Sequence, residues 1–173
     1  MKPFSVIFQE SGKNVIDYDG KIVFSCFKCI IPDRYIISLR SPNTNSPDRQ
    51  LICISTNFDG SIKINGDTVE KKKGVFSRIS VYSDDIKGGM SIEIDMKSDR
   101  FILYNASIPS DSEFTRSMVF GCAINPVRLD DGWFRINCND HEIDDDFDDL
   151  VFEMKVENEN GIVDIIEEWR PEY

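Results

Sequence analysis

Residues 90–96 read Met-Ser-Ile-Glu-Ile-Asp-Met, and this stretch decides the class of fold. Its apolar side chains stand at alternate positions, so an extended chain turns them toward one face and the polar side chains toward the other. Such a period of two is typical of a β-strand with one face in the core and one in water. We therefore predict a strand here, at the periphery of a sheet.

Short runs of β-branched and aromatic residues, separated by Gly, Asn, Asp and Pro, predict further strands along the chain. No helix alternates with them, which favours an antiparallel β-sandwich or barrel-like sheet with at most one or two short helices. The further predicted strands are residues 4–9, 21–31, 34–39, 51–58, 61–65, 75–82, 101–108, 133–138 and 150–156.

Turn-forming residues separate these runs. The dipeptides Asp19-Gly20, Asp59-Gly60 and Asn65-Gly66 tolerate positive φ and predict tight hairpins. Residues 40–50 contain two prolines among polar residues and predict an exposed loop. Residues 71–74, Lys-Lys-Lys-Gly, predict the tip of a basic hairpin.

Three segments carry separate predictions. Residues 21–31 are apolar on both faces, which predicts a central strand covered on both sides. Residues 109–118 predict a short helix capped by Ser110 or Ser112. Residues 162–170 fit either a helix or a strand, and the preceding Asn160-Gly161 favours a hairpin that leads into a strand.

Length and composition predict a single globular domain over residues 1–173. The chain is 40% hydrophobic and 11% aromatic, which is typical of a folded protein rather than a disordered acidic chain. The first residues lack the apolar core of a secretory signal, and no run approaches the ~18–20 apolar residues of a membrane span. We therefore expect a cytoplasmic protein that does not enter a membrane.

Negative charge is concentrated at the C-terminal end. Residues 130–173 contain 16 Asp and Glu against 3 Lys and Arg, whereas residues 1–129 contain 15 against 17. The net charge of −11 is thus −13 in this acidic C-terminal module and +2 in the remainder. Clustered like charge destabilises a compact state and predicts a basic partner. The same balance disfavours direct binding of nucleic acid, because phosphates are negative.

The five cysteines lie in apolar stretches and are odd in number, which indicates reduced core thiols rather than disulfides. Cys26 and Cys29 form a Cys-x-x-Cys pattern, which alone suggests zinc or redox chemistry. On an unbroken strand, however, residues three apart point to opposite faces and cannot share a metal. We therefore predict buried, unliganded thiols.

His141 is the only histidine, so any histidine-dependent catalysis must pass through it. Its acidic neighbours favour the protonated imidazole, which makes a poor base near neutral pH. We interpret His141 as a surface residue. The sequence also lacks phosphate-binding glycine motifs and a nucleophile elbow, and we predict that the chain is not an enzyme.

The acids of residues 140–149 can also be read as a calcium loop, because carboxylates recur at every second position. The EF-hand pattern fails at Asp145, which stands where the sharp turn needs glycine. It fails again at Val151, which stands where the last ligand is glutamate. We therefore expect weak, millimolar binding at most, with no specific metal and no cofactor.

Two apolar segments, residues 133–138 and 150–156, bracket the acidic run, so the fold holds these acids in place. We predict a preorganised anionic surface that binds a partner, with Trp133 and Phe147 as aromatic anchors. The predicted partner-binding residues are Trp133, Asp140, Glu142, Asp144, Asp145, Asp146, Phe147, Asp148 and Asp149.

A small, acidic, motif-poor β protein of this kind resembles bacterial immunity proteins, which neutralise nuclease toxins of contact-dependent and related secretion systems. The resemblance covers overall character rather than aligned residues. It implies a stoichiometric inhibitor and a cognate toxin whose basic cleft is blocked by carboxylates in place of substrate phosphates. Two alternatives stay open: a β-barrel that binds a small molecule among its many Phe and Met residues, and a hydrolase that uses two carboxylates.

Overall fold

The computed structural model describes residues 2–29, 34–96, 101–115, 122–140 and 144–166. Strands dominate this part of the chain and all their pairings are antiparallel, which confirms the predicted mainly β fold. The elements are α1 (Phe4–Ser11), β1 (Val15–Tyr18), β2 (Lys21–Phe24), β3 (Phe27–Cys29), β4 (Tyr35–Asn43), β5 (Arg49–Ile64), β6 (Asp67–Tyr82), β7 (Met90–Met96), β8 (Phe101–Ile108), β9 (Ala123–Arg128), β10 (Phe134–Asn139), β11 (Leu150–Asn158) and β12 (Gly161–Ile162), with short 3-10 turns at Ser83–Ile86 and Asp130–Gly132.

The strands of the described residues form one sheet in the order β1-β2-β9-β10-β11-β4-β7-β5-β8-β3, with β12 paired to β11 and β6 paired to β5. β2 and β3 stand near opposite ends of this order, yet only Ser25 and Cys26 separate them in the chain. The sheet must therefore curl back on itself, so that its two halves enclose a core as in a sandwich or barrel-like sheet.

β10 and β11 form the centre of the core. Phe134 pairs with Met154 and Cys138 pairs with Leu150, and all four side chains are buried. Burial of apolar surface stabilises such a core by about 25 cal/mol per Å² removed from water. Both of these strands are confirmed as predicted, with small differences at their ends.

The N-terminal segment is a helix, and the strand predicted over residues 4–9 is wrong. Phe4 and Phe8 lie four residues apart on one face of α1, and both are buried. The main-chain oxygen of Pro3 accepts the first helical hydrogen bonds, and Gly12 ends the helix at a left-handed φ of 64°. The apolar run has the spacing of a helix as well as of a strand, and packing of the two rings selects the helix.

The single central strand predicted over residues 21–31 is also wrong. β2 pairs with β1 and β9, whereas β3 pairs with β8. Between them, Ser25 N–H donates to Asn14 O at 3.0 Å and Ser25 Oγ donates to Asn14 Oδ1 at 3.3 Å. These bonds replace strand pairing, so the chain bends without Gly or Pro. Residues 30 and 31 lie outside the described residues.

β7 has the bounds that its alternation predicts, but it is central rather than peripheral. It pairs with β4 on one side and with β5 on the other. Its isoleucines are buried in the core, whereas Glu93 points outward and binds Arg34 and Lys63. The alternation therefore indicates a sheet with one solvated face, not an edge strand.

Two of the three predicted hairpins are confirmed. Asp19-Gly20 joins β1 to β2 and Asn65-Gly66 joins β5 to β6, with positive φ at all four residues. Asp59-Gly60 lies instead inside β5, and residues 71–74 lie inside β6 rather than at a hairpin tip. β5 and β6 pair over most of their length, and a register shift between Phe58 and Gly60 absorbs the glycine without a turn.

Two predicted surface segments differ in extent. The loop predicted over residues 40–50 is shorter, because β4 runs to Asn43 and β5 begins at Arg49. Residues 109–115 form turns and bends rather than part of the predicted helix, and residues 116–118 lie outside the described chain. The side chain of Ser112 accepts a hydrogen bond from Phe114 N–H at 3.1 Å, so a local turn satisfies the backbone there.

The predicted C-terminal hairpin at Asn160-Gly161 is confirmed, and β12 pairs with β11. The regular strand ends at Ile162, although Val163 N–H still donates to Val156 O at 2.9 Å. Residues 167–170 of the segment predicted as strand or helix lie outside the described residues. Among the residues that are described, no helix has the length and apolar character needed to cross a membrane.

Candidate functional site

The acidic run connects β10 to β11, and the structure divides its residues into an inward and an outward set. Asp140, Phe147 and Asp149 are buried, with exposed fractions of 0%, 3% and 7%. Buried side chains cannot contact a partner, so these three do not belong to the predicted surface. The outward set is Asp144, Asp145, Asp146 and Asp148, which we call the acidic loop surface. His141 and Glu142 lie outside the described residues.

Phe147 is a core residue rather than an exposed anchor. Its ring packs edge-on against Phe4 with centroids 5.2 Å apart, and Lys21 Nζ lies 4.9 Å from its centre. The backbone reaches this position with a positive φ of 58°, which is uncommon for an aromatic residue. The packing partner belongs to α1, which the sequence predicts as a strand, so the inward position of Phe147 is not evident from the sequence.

Asp140 and Asp149 anchor the two ends of the loop to the fold. Asp140 Oδ2 accepts hydrogen bonds from Ser46 Oγ at 2.8 Å and from Gln50 Nε2 at 3.2 Å. The main-chain N–H of Asp140 donates to Asp149 Oδ2 at 2.8 Å. Since Gln50 belongs to β5, these bonds connect loop 140–149 to the sheet at the places where it begins and ends.

The Asp149 carboxyl group lies in an environment that disfavours its ionised form. Burial raises the pKa of Asp149 to about 7, and the negative charges of Asp140, Asp144 and Asp146 act in the same direction. The hydrogen bond from Asp140 N–H opposes this increase in the pKa. Near neutral pH this carboxyl group is therefore partly protonated.

Three carboxylates of the run converge. Asp144, Asp146 and Asp149 each bring one carboxylate oxygen to within 4.8 Å of the other two. A Ca²⁺ ion binds oxygen at about 2.3–2.6 Å, so oxygens at this spacing can contact one ion. The every-second-residue spacing in the sequence indicates the proximity of Asp144 and Asp146, whereas Asp149 joins them through the return of the chain.

The end of β1 and the loop after β4 hold the acidic loop surface. Tyr18 OH donates to Asp145 Oδ2 at 3.3 Å, and Asn45 Nδ2 donates to Asp148 Oδ2 at 3.1 Å. Burial raises the pKa of Tyr18, and the negative charge of Asp145, which accepts the hydrogen bond, raises it further. Tyr18 is more than a hundred residues away from the loop in the sequence, and only the fold brings it to Asp145.

Trp133 and the acidic loop lie at opposite ends of β10. Trp133 precedes this strand and the loop follows it, so six residues spanning about 20 Å separate them. The ring is half-buried, with the Arg40 guanidinium 3.7 Å and Lys155 Nζ 5.4 Å from its centre. Trp133 therefore stacks within the molecule and is not adjacent to the acids with which it was grouped. It lines an open groove of about 490 Å³ with Arg40, Arg128, Leu129, Asp130 and Asp131.

The outer face of the sheet carries basic residues that the sequence pattern does not show as a group. Glu153 of β11 contacts Arg40 and Arg135 at 2.7 and 3.7 Å. Glu93 of β7 contacts Arg34 and Lys63, and the hydrogen bond from Lys63 contributes most to lowering the pKa of this carboxyl group. Arginine and lysine residues from distant parts of the chain thus pair with the outward-facing glutamates of the sheet rather than with the acidic loop.

The described cysteine side chains agree with the predicted core thiols. Cys26, Cys122 and Cys138 are buried, and burial raises the pKa of each thiol. A thiol that stays neutral is a poor nucleophile and a poor metal ligand. The unbroken strand on which the separation of Cys26 and Cys29 was predicted is absent, because Cys26 lies in the bend between β2 and β3. The side chain of Cys29 lies outside the described part, so the placement of the two thiols stays untested.

Comparison with known proteins gives no identification: no protein-family model and no curated protein matches the chain. The resemblance to immunity proteins therefore stays a prediction from the sequence. The geometry of the loop is the basis for a functional proposal.

Proposed function

We propose that the chain is a stoichiometric inhibitor whose acidic loop surface binds a basic protein domain, as an immunity protein binds a toxin. The observation that carries this proposal is the division of the loop into two sets of acids. Asp140 and Asp149 hold the loop from within, while Asp144, Asp145, Asp146 and Asp148 stay at or near the surface. A loop that is already held loses little conformational entropy on binding, so more of the interaction energy appears as affinity.

The charge distribution supports fast capture of a basic partner. Residues 130–173 carry a net charge of −13, and the acidic loop surface lies within them. A concentrated electric field of one sign raises association rates by roughly 10–10³-fold, and this enhancement falls as the ionic strength rises. Such steering benefits an inhibitor, because the inhibitor must bind its target before the target acts.

Occlusion is the mechanism that fits these side chains. Carboxylates of the acidic loop surface would pair with Lys and Arg in the partner's active-site cleft and take the place of substrate phosphates. Nuclease toxins are the target class that we propose, because their clefts must be basic in order to bind a polyanion. The inhibitor itself needs no turnover.

The test needs a toxin domain, and the proposal predicts that the gene immediately upstream of this chain encodes one. Toxin activity is titrated with the purified chain, and a sharp one-to-one endpoint supports a stoichiometric inhibitor. Inactivation at substoichiometric amounts would indicate an enzyme, and a neighbouring gene product without toxin activity would exclude the immunity function.

A matched pair of variants locates the interface. The triple variant Asp145→Asn, Asp146→Asn, Asp148→Asn removes three charges from the acidic loop surface. The control Asp85→Asn, Asp111→Asn, Glu113→Gln removes three exposed charges elsewhere. In stopped-flow binding at low salt, we expect the loop variant to associate about tenfold more slowly and with a weaker salt dependence. The control should stay within about twofold of the parent, and equal losses in both variants would show that net charge matters and the loop does not.

A further inference from the structure

We propose that Asn160 is a site of spontaneous deamidation, at which the folded chain converts an amide into a carboxylate with water as the co-reactant. The dipeptide Asn-Gly occurs twice in the sequence, at Asn65-Gly66 and at Asn160-Gly161, and each closes a hairpin. Glycine has no Cβ atom, so its backbone nitrogen can approach the side chain of the preceding asparagine closely. The sequence alone therefore makes both asparagines candidates, and the fold decides between them.

The reaction exchanges one bond at the asparagine side chain for another. Base removes the proton from the backbone nitrogen of Gly161, and this nitrogen attacks Asn160 Cγ while the bond from Cγ to Nδ2 breaks and ammonia leaves. A water molecule then opens the resulting succinimide ring at either of its carbonyl groups. Opening at one carbonyl gives aspartate, and opening at the other gives isoaspartate, in which the main chain passes through the side-chain carbon. The net change is the gain of a water molecule and the loss of ammonia.

Attack requires the asparagine to leave its hairpin conformation. The succinimide ring forms only when rotation about the Cα–C bond brings the next backbone nitrogen beside Cγ, whereas the turns of short hairpins hold that bond in other conformations. The rate therefore depends on the free energy needed to open each hairpin and to release each side-chain amide. Such local opening costs range from near zero at lightly held segments to the full unfolding free energy in core strands.

Two long strands and a contact with a third strand hold Asn65. β5 and β6, which flank its turn, each comprise 16 residues and pair over most of their length. Asn65 Oδ1 also accepts a hydrogen bond from Ser91 N–H at 2.9 Å, and Asn65 N–H donates to Ser91 O at 2.8 Å. Rotation of Asn65 must break both of these bonds to β7, so its conversion is slow.

Asn160 lies in a turn that fewer contacts hold. Asn160 and Gly161 are exposed, and the regular pairing of β11 with β12 comprises only the pairs Glu157 with Ile162 and Asn158 with Gly161. Asn160 N–H donates to Asn158 Oδ1 at 2.9 Å, but no group in the described ranges forms a hydrogen bond with the Asn160 carboxamide. This hairpin therefore opens at a lower cost in free energy, because fewer contacts are lost.

The conversion adds a negative charge to the acidic C-terminal module, far from the acidic loop surface. The loop precedes β11 and Asn160 follows it, and the nine residues of this strand span about 30 Å. This distance exceeds the Debye length of about 8 Å at physiological salt, so capture of a partner by the loop should not change. The inference therefore does not depend on the proposed inhibitor function, and failure of one proposal leaves the other intact.

The experiment incubates the folded full chain in mildly alkaline buffer and follows both Asn-Gly sites by peptide mapping with mass spectrometry. We expect the peptide that contains Asn160 to gain the mass difference between an amide and an acid about tenfold faster, or more, than the peptide that contains Asn65. A tenfold ratio corresponds to a difference of about 1.4 kcal/mol between the two barriers. Isoaspartate should accompany aspartate, because both arise from the same succinimide. Conversion of Asn65 at an equal or higher rate, or no conversion of Asn160, would overturn the proposal.

The same chain unfolded in guanidinium chloride separates the effect of the fold from that of the neighbouring residues. Neither asparagine is held there, and we expect the two rates to agree within about threefold. The same ratio in the folded and the unfolded chain would show that local sequence sets it and would overturn the structural argument.

The variant Asn160→Gln identifies the reacting residue. Its longer side chain would have to close a larger ring, so we expect the mass gain of this peptide to disappear while the rate at Asn65 stays unchanged. A mass gain that persisted in the variant would assign the conversion to another residue of the peptide, such as Asn158, and would overturn the proposal.

Discussion

Asp149 is the residue at which burial and charge conflict. The residue is 7% exposed, and its carboxyl group lies among three other acids and still accepts the hydrogen bond from Asp140 N–H. An ionised group in this position costs free energy of folding, whereas a neutral acceptor of the same shape would not. The side chain therefore gives the loop its geometry at the expense of stability near and above neutral pH.

The unfolding free energy of the variant Asp149→Asn, relative to that of the parent, should increase as pH rises. The pKa of Asp149 is about 7 in the folded chain, above the value of about 3.9 in an unfolded chain. The folded state therefore holds the proton more tightly, and the parent loses stability as pH rises from about 4 through 7. Asparagine keeps an oxygen that accepts the Asp140 N–H bond and carries no charge.

The measurement is urea unfolding at pH 5.5 and 8.5 in the presence of a chelator. Between these two values, the difference in unfolding free energy between variant and parent should grow by about 2 kcal/mol. Asp85→Asn, which removes an exposed charge elsewhere, is the control. Parallel pH profiles for Asp149→Asn and the parent would show that the carboxyl group does not titrate near neutral pH.

At the scale of the element, the contrast of α1 with β7 and β8 shows which features a sequence pattern can predict. The bounds of β7 and β8 agree with the prediction because alternation and turn residues within each segment decide them. Residues 4–9 fit two periodicities, and distant Phe147 packs against the helix that forms. Contacts with distant residues also place the inward half of the acidic run, so a local pattern does not predict it. The partners of Asp140 lie about 90 residues earlier in the chain.

Gly12→Ala should destabilise the chain by about 1 kcal/mol. Gly12 ends α1 at a φ of 64°, a conformation that costs a residue with a Cβ atom roughly 1–2 kcal/mol. An added Cβ would meet no atom within 4 Å, so backbone conformation alone sets the cost. Gly88→Ala is the matched control, because that position is equally open and its φ is not in the left-handed range.

Urea unfolding of both glycine variants gives the result. We expect Gly88→Ala to stay within about 0.5 kcal/mol of the parent, as surface substitutions usually do. If Gly12→Ala lowered the unfolding free energy as little as Gly88→Ala does, α1 would not end in the left-handed conformation. That result would count against a helix at residues 4–9.

At the scale of the whole molecule, charge is separated. The outward-facing glutamates of the sheet are matched by cations such as Arg34 and Arg135, while the acidic loop surface has a local excess of negative charge. The sequence predicts this excess from the charge count alone. It does not predict that part of the excess is directed inward, because net charge contains no information about burial.

Raising KCl from about 0.1 to 1 M should raise the melting temperature of the full chain, because the Debye length falls from about 10 to 3 Å. Screening has two opposing effects. It weakens exposed ion pairs such as Arg128 with Asp164, which contribute about 0–1 kcal/mol each, and it relieves repulsion within a chain of net charge −11. With 31 acidic against 20 basic residues, we expect relief of repulsion to dominate.

The triple variant of the acidic loop surface decides where this repulsion originates. A chelator in the buffer keeps divalent cations out of the comparison, and melting is followed by circular dichroism at each salt concentration. We expect the loop variant to melt higher than the parent at low salt and to gain less from added KCl, whereas the Asp85, Asp111 and Glu113 control should respond more like the parent. A melting temperature of the parent that falls with salt would mean that ion pairs outweigh repulsion. The acidic loop surface would then not destabilise the fold, and the like-charge repulsion that favours a basic partner would be absent.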